Sequence, residues 1–489
     1  MSSGFAQFTQ RAPWIAGLGV GCGLAAVSLA IVGQVEPDQY DQSFALLWGR
    51  DIANWTVPDF SVPGASTPHP LTILFGAAVS PLGVDGSLEA AKVFAWLSLA
   101  GVLAGVYLLC AAAFGYAAGL VAAAATALNP TLVSFGLVGT ADAPFGALVL
   151  VAGSLEVRRP RCGLPAMALL ALAGLLRPEA WLFAGAYWLF LARDLDSRAR
   201  IRLLAVALSA PLAWMAMDLA VTGNPLFSLL ETRDATAALA RPTGASETLP
   251  QLASGLDSLL SRGEIVAGLA GLGLAAYVRW RGAIVPAALV VLSLAGYVAV
   301  GLAGLPLIIR YLLLPATVLM CFVALALTGW ARLERGPLRA GWTAGAALLL
   351  VLVLGAAPSR RDAFASYRAT LQQRDAAYED LRALIRGRRA AAPGCDQILV
   401  PSRGIAPLLA LYADAQPRAI RKPTGPARSE AVMVVPAGEA VAGLIALSPE
   451  RLSRARRAQS RAGVREVEAN RSWQMFAGSC AGATSAGKP

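Results

Sequence analysis

The stretch Glu36–Pro70 (EPDQYDQSFALLWGRDIANWTVPDFSVPGASTPHP) gathers five carboxylates, Glu36, Asp38, Asp41, Asp51 and Asp59, and the chain's single histidine, His69. Carboxylates suit general-base work on a hydroxyl. His69 lies between Pro68 and Pro70, which restrict the backbone on either side. Three more charges stand out in apolar surroundings: Asp142 in GTADAP, Arg177 before Pro178-Glu179, and Arg310 within LPLIIRYLLLP. A helix N-cap would account for Asp142 alone. The arginines need more explanation, because basic groups at membrane depth usually face a cavity or a partner. Glu179 is a partner for Arg177, whereas Arg310 has no acid nearby in sequence. Guanidinium groups fit phosphate oxygens as charge-assisted donors. These residue types therefore suit a reaction between a hydroxyl and a phosphate-linked group.

The elements that must position them are set by composition. Of 489 residues, 56% are hydrophobic and 15% charged, against roughly 25% charged in soluble domains. That excludes an ordinary cytosolic enzyme, a disordered chain and a nucleic-acid module. The net charge is +11, and its location matters. Residues 1–357 carry 20 Lys/Arg and 19 Asp/Glu, a net of +1; residues 358–489 carry 21 and 11, a net of +10. The chain divides into a transmembrane body, 1–357, and a polar C-terminal domain, 358–489, large enough for one small core.

A span needs about 20 apolar residues. Pro13–Gly33 is long enough to be an uncleaved first span. Val93–Phe114, Ala117–Asn129, Ala143–Val157, Leu203–Leu219, Ile265–Val278, Ile284–Leu302, Tyr311–Trp330 and Trp342–Ala357 follow. Gly163–Leu191 is either one span or a hairpin of two, broken at Arg177-Pro178-Glu179. Basic clusters flank it, with Arg158, Arg159 and Arg161 before and Arg193, Arg198, Arg200 and Arg202 after. The positive-inside rule favours the hairpin, with both clusters cytoplasmic. The expectation is about eleven transmembrane helices in a plasma membrane, N-terminus cytoplasmic and C-terminal domain extracytoplasmic. Residues 34–70 then form the first outer loop. Within it Asp41–Ile52 reads as an interfacial helix with Phe44, Leu47 and Trp48 toward lipid or protein, and Leu71–Gly83 as a second, juxtamembrane helix.

In this order and on this side, the motifs resemble those of the GT-C glycosyltransferases, multi-span enzymes that use polyprenyl-phosphate-linked sugars and include protein mannosyltransferases and the lipid A aminoarabinose transferase. The matching elements are an early acid (Asp41), an Arg-acid pair (Arg50-Asp51), and a cation-Pro-Leu turn (His69-Pro70-Leu71). An acid at a later span (Asp142), a basic hairpin residue before proline (Arg177-Pro178), and an RY-L-P element (Arg310-Tyr311, Pro315) complete them. Many relatives have Asp-Glu where this chain has Asp41-Gln42, and lysine where it has His69. The resemblance covers the body and implies a GT-C-like fold. It implies inverting transfer of a sugar from a polyprenyl-phosphate donor to an outer hydroxyl of a glycan, lipid or protein acceptor. Asp41 would be the base, with Asp38 its competitor. His69, Arg177, Arg310 and Tyr311 would contact the donor phosphate. Asp142 would orient acceptor or sugar, or hold a divalent metal if one is used; no cofactor is otherwise implied. The alternative is a transporter or flippase for a lipid-linked or anionic solute, for which the sequence shows no internal repeat.

In the C-terminal domain, Tyr367–Arg389 and Pro449–Ala462 read as helices, and Gln397–Val400, Arg418–Ile420 and Val432–Val435 as short strands of a small α/β layer. Cys395 and Cys480 bracket it and are expected to pair in an oxidising compartment.

Overall fold

The computed structural model describes residues 12–34, 40–62, 65–391, 395, 397–421, 431–461 and 464–478. The described chain falls into two compact units. The first comprises residues up to 37, 69–71 and 91–367; the second comprises 38–68, 72–90 and 368 onward. The first-loop helices are thereby grouped with the C-terminal domain. The physical reason is packing: helix Asp41–Ala53 lies against helix Ala406–Tyr412.

In the first unit, every segment read as a span carries a helix. Among the described residues of the chain, six helical runs are long and apolar enough to cross a membrane by themselves, or eight if each of two bent pairs is one span. This is a multi-pass membrane protein. The segment read as a hairpin is two packed helices, Leu164–Gly174 and Glu179–Ala192, interrupted at Leu175–Pro178. The most enclosed helix is Leu313–Thr328, buried from Leu314 to Ala326. It packs against Arg262–Tyr277, Tyr116–Ala127 and Ile284–Leu302. Glycine permits one of these approaches: a Cβ on Gly271 would collide with the Phe322 carbonyl, the close backbone contact that small residues allow between membrane helices.

The bent pairs explain why two spans ran differently from the sequence reading. Tyr116–Ala127 meets Pro130–Leu137 at 76°, and Ala245–Leu259 meets Arg262–Tyr277 at 107°. A break exposes backbone groups that apolar surroundings cannot satisfy, so each carries its own cap. The Asn129 side chain accepts from Leu132 N at 3.0 Å and donates to Leu259 O at 2.9 Å. Ser261 and Glu264 form a capping box. Glu264, fully buried, also accepts from Arg360 Nη2 at 2.7 Å.

The second unit is a mixed five-stranded sheet ordered β2-β1-β3-β5-β4. Its strands are β1 (Gln397–Leu399), β2 (Ile420–Arg421), β3 (Ala431–Pro436), β4 (Arg465–Ala469) and β5 (Trp473–Ala477). β1 pairs in parallel with β2 and β3; β5 runs antiparallel to β3 and β4. The apolar run of β3 is buried throughout, as a strand covered on both faces requires. Trp473 anchors the sheet to the long helix Ala357–Ala391, its Nε1 donating to Ala377 O at 2.6 Å. Phe44, Leu47 and Trp48 are all buried, and Trp48 Nε1 donates to Asp59 O at 3.1 Å. Cys395 is disulfide-bonded; its expected partner, Cys480, lies outside the described residues. Cys22, Cys110, Cys162 and Cys321 are free thiols.

Candidate functional site

The first unit brings Asp142, Arg177, Arg310 and Tyr311 to one cavity. Each is delivered by a helix end. Asp142 opens helix Asp142–Arg158, where the dipole favours a carboxylate. Arg177 sits in the Leu175–Pro178 interruption, held by backbone donation from its N–H to Ala173 O at 2.9 Å. Arg310 and Tyr311 lie on the single turn Ile309–Leu312 that enters Leu313–Thr328.

Asp142 is buried between the two guanidinium groups. Its Oδ1 pairs with Arg177 Nη1, and its Oδ2 lies 3.7 Å from Arg310 Nη1. Thr140 Oγ1 donates to the same Oδ2 at 2.7 Å. Arg177 also donates from Nη2 to Glu179 Oε1 at 2.7 Å, and its guanidinium carbon stands 4.6 Å from the Tyr311 ring centroid, within cation–π range. Arg177 is buried, whereas the Arg310 side chain is 32% exposed. Two cations face two carboxylates, with Arg310 the more accessible charge.

The cavity measures about 30 Å³, room for a water-sized group. Further polar lining comes from Ser293 and Tyr297, one turn apart on Ile284–Leu302. Sequence reasoning missed both; their signal was a hydroxyl at i and i+4 in an otherwise apolar span. Pro242 O accepts from Leu307 N at 2.9 Å, which fixes its segment to the loop preceding Arg310.

His69, in the same unit, packs edge-on against Trp214, with ring centroids 5.6 Å apart, and does not line this cavity. Asp41 begins helix Asp41–Ala53 in the second unit. Asp38 lies outside the described residues. Arg50 donates to Asp414 Oδ1 at 3.0 Å and to Ala415 O at 3.2 Å. Asp51 is buried, with Gln416 Nε2 at 3.5 Å. Burial pushes the Asp51 carboxyl above its ordinary value, against the pull of Arg50 and Gln416 and with a push from Asp59.

No group of three His, Cys, Asp or Glu side chains placed to hold a metal occurs among the described residues. With both Asp142 oxygens committed to guanidinium and hydroxyl donors, that carboxylate fits a counter-ion better than a metal ligand.

No family model matches the chain, and no curated protein matches its sequence. Its fold does have solved counterparts. ArnT from Cupriavidus metallidurans bound to undecaprenyl phosphate superposes with a TM-score of 0.53 at 14% identity, covering 95% of this chain and 98% of that one. ArnT in the apo state gives 0.53 at 14% identity, over 96% and 98%. The Archaeoglobus fulgidus oligosaccharyltransferase tethered with an acceptor peptide gives 0.52 at 12% identity, over 92% and 72%. At such identities the likeness is one of fold. The chain has the fold of GT-C glycosyltransferases, as its motifs led us to expect.

Proposed function

We propose that this protein is a membrane glycosyltransferase that moves a sugar from a polyprenyl-phosphate donor to an acceptor hydroxyl outside the cytoplasm. The observation that carries the reading is the pair Arg177 and Arg310 gathered around buried Asp142 beside Tyr311. A buried carboxylate between two guanidinium groups is costly to build for stability alone. It holds two donors ready for an anion, and the fold is shared with ArnT, which has been solved bound to undecaprenyl phosphate.

In the proposed reaction Asp41 takes the proton of the acceptor hydroxyl. The hydroxyl oxygen attacks the anomeric carbon from the face opposite the phosphate. The bond from that carbon to the phosphate oxygen breaks, and the lipid phosphate leaves with the electron pair. Arg310, then Arg177, stabilise the charge it gains. Asp142 positions both arginines, and Glu179 restrains Arg177. Phosphate contact is assigned first to these arginines. The orientation proposed from arginine placement puts the C-terminal domain, 358–489, on the outer side, where the acceptor would be met.

The test uses purified protein in nanodiscs with radiolabelled undecaprenyl-phosphate sugars and glycan, lipid and peptide acceptors. Transfer or slow donor hydrolysis is the expected result, abolished in Asp41→Asn with undecaprenyl-phosphate binding retained. Full turnover in Asp41→Asn overturns the assignment of the base. Failure to bind undecaprenyl phosphate overturns the reading as a whole.

A further inference from the structure

A second recess lies wholly within the second unit. It has a volume of about 310 Å³ and is walled by Leu82, Val84 and Leu411, with Tyr412 and four charged side chains around them. That size is at the lower end of the range for small-molecule sites, ~300–1,000 Å³.

The charges are already matched. Asp85 pairs with Arg382, and its Oδ2 accepts from Arg386 Nη2 at 2.7 Å. Arg382 also lies near Glu379 and over the Tyr412 ring, 5.9 Å from its centroid. Asp414 accepts from Arg50. Two guanidinium groups and two carboxylates thus line the recess, which offers an incoming anion no net positive charge. Stability does not explain the cluster, since the Asp85, Arg386 and Asp414 side chains are largely exposed and exposed ion pairs contribute little.

We propose that this recess binds carbohydrate. A sugar ring needs donors and acceptors side by side for its hydroxyls, and the Asp85–Arg386 pair supplies both. It also needs an apolar surface for its C–H face, which Leu82, Val84, Leu411 and the Tyr412 ring supply. A phosphate would have to displace Asp85 from two arginines, whereas a neutral polyol bonds to the pair as it stands. The site does not depend on the donor reading and would exist equally in a protein that transferred nothing.

The experiment is saturation-transfer-difference NMR on the full chain in nanodiscs free of sugar-based detergent, with chitotriose, mannotriose and cellotriose as probes. Saturation transfer to the C–H protons of at least one trisaccharide is expected. Arg386→Ala and Asp85→Asn, both at exposed positions, should each weaken that affinity about tenfold without changing undecaprenyl-phosphate binding. Absence of transfer to all three sugars overturns the proposal, as does equal affinity in both variants. Displacement of the sugar by inorganic phosphate in the unmodified protein also overturns it, by assigning the recess to an anion.

Discussion

Arg177 makes an ion pair with Asp142 while its guanidinium lies against the Tyr311 ring. Both partners are buried, and removing Arg177 leaves Asp142 only the more distant Arg310 and the Thr140 hydroxyl. Breaking a buried pair on one side typically costs about 3–5 kcal/mol. Arg177→Ala should therefore unfold at a clearly lower temperature in detergent. The double variant Arg177→Met, Asp142→Leu should recover part of that loss, because the most deeply buried pair of charges is then gone. Thermal unfolding followed by tryptophan fluorescence reads both. If the single and double variants lose equal stability, the pair is not what holds this region.

Arg310 should behave differently. It lies farther from Asp142, at 3.7 Å, and is partly exposed, so its pairing contributes at most about 1 kcal/mol to stability. A charge-assisted hydrogen bond to a ligand is worth roughly 1.5–3 kcal/mol. Arg310→Ala should keep its unfolding temperature within a few degrees while losing about 10- to 100-fold in affinity for undecaprenyl phosphate, measured by native mass spectrometry. Unchanged affinity would move the phosphate to another part of the molecule.

The contrast between these arginines bears on how much could be read beforehand. Asp142, Arg177 and Arg310 stood out because charge in apolar sequence is rare, and the fold brings all three together. The break at Arg177 was legible from Pro178 and the flanking arginines. That Asp142 joins the two arginines was not, because residues 142, 177 and 310 meet only through tertiary packing. The hydrophobic pattern also passed over helix Ala245–Leu259, set at 107° to its neighbour, since the break depends on a Ser261–Glu264 cap and not on hydropathy. Helix Ala406–Tyr412 is too short to show a period. Strand β4, with the sequence REVEA, is a charged edge strand with little buried surface, so alternation gave no signal. The sequence also offered no sign that the first-loop helices belong with the C-terminal sheet.

Within the second unit, Gly49 of helix Asp41–Ala53 faces Gly76 of Pro70–Val79 so closely that a Cβ on Gly49 would strike the backbone of Gly76 and Ala77. Backbone cannot move aside as a flexible side chain can. Gly49→Ala should cost about 1–3 kcal/mol despite the better helix propensity of alanine. Limited proteolysis, with cleavage sites mapped between residues 54 and 69, should show faster cutting in the variant. An unchanged cleavage rate would mean that the two helices separate at no cost.

Asp51 supplies a prediction in pH. Its carboxyl is raised above the ordinary value of 3.8, first by burial, with Arg50 and Gln416 opposing. A raised carboxyl binds its proton more tightly folded than unfolded. Between the unfolded and folded pKa values the native state therefore holds more proton, and stability from this group falls as pH rises. Its contribution is fully present below about 3.8 and is lost as pH climbs through the folded value. Asp51→Asn has no proton to lose at this position. The unfolding temperature of the variant, relative to the unmodified protein, should rise between pH 4 and pH 7. A difference that stays flat across that range would show that Asp51 titrates alike in both states, and that Arg50 and Gln416 offset its burial in full.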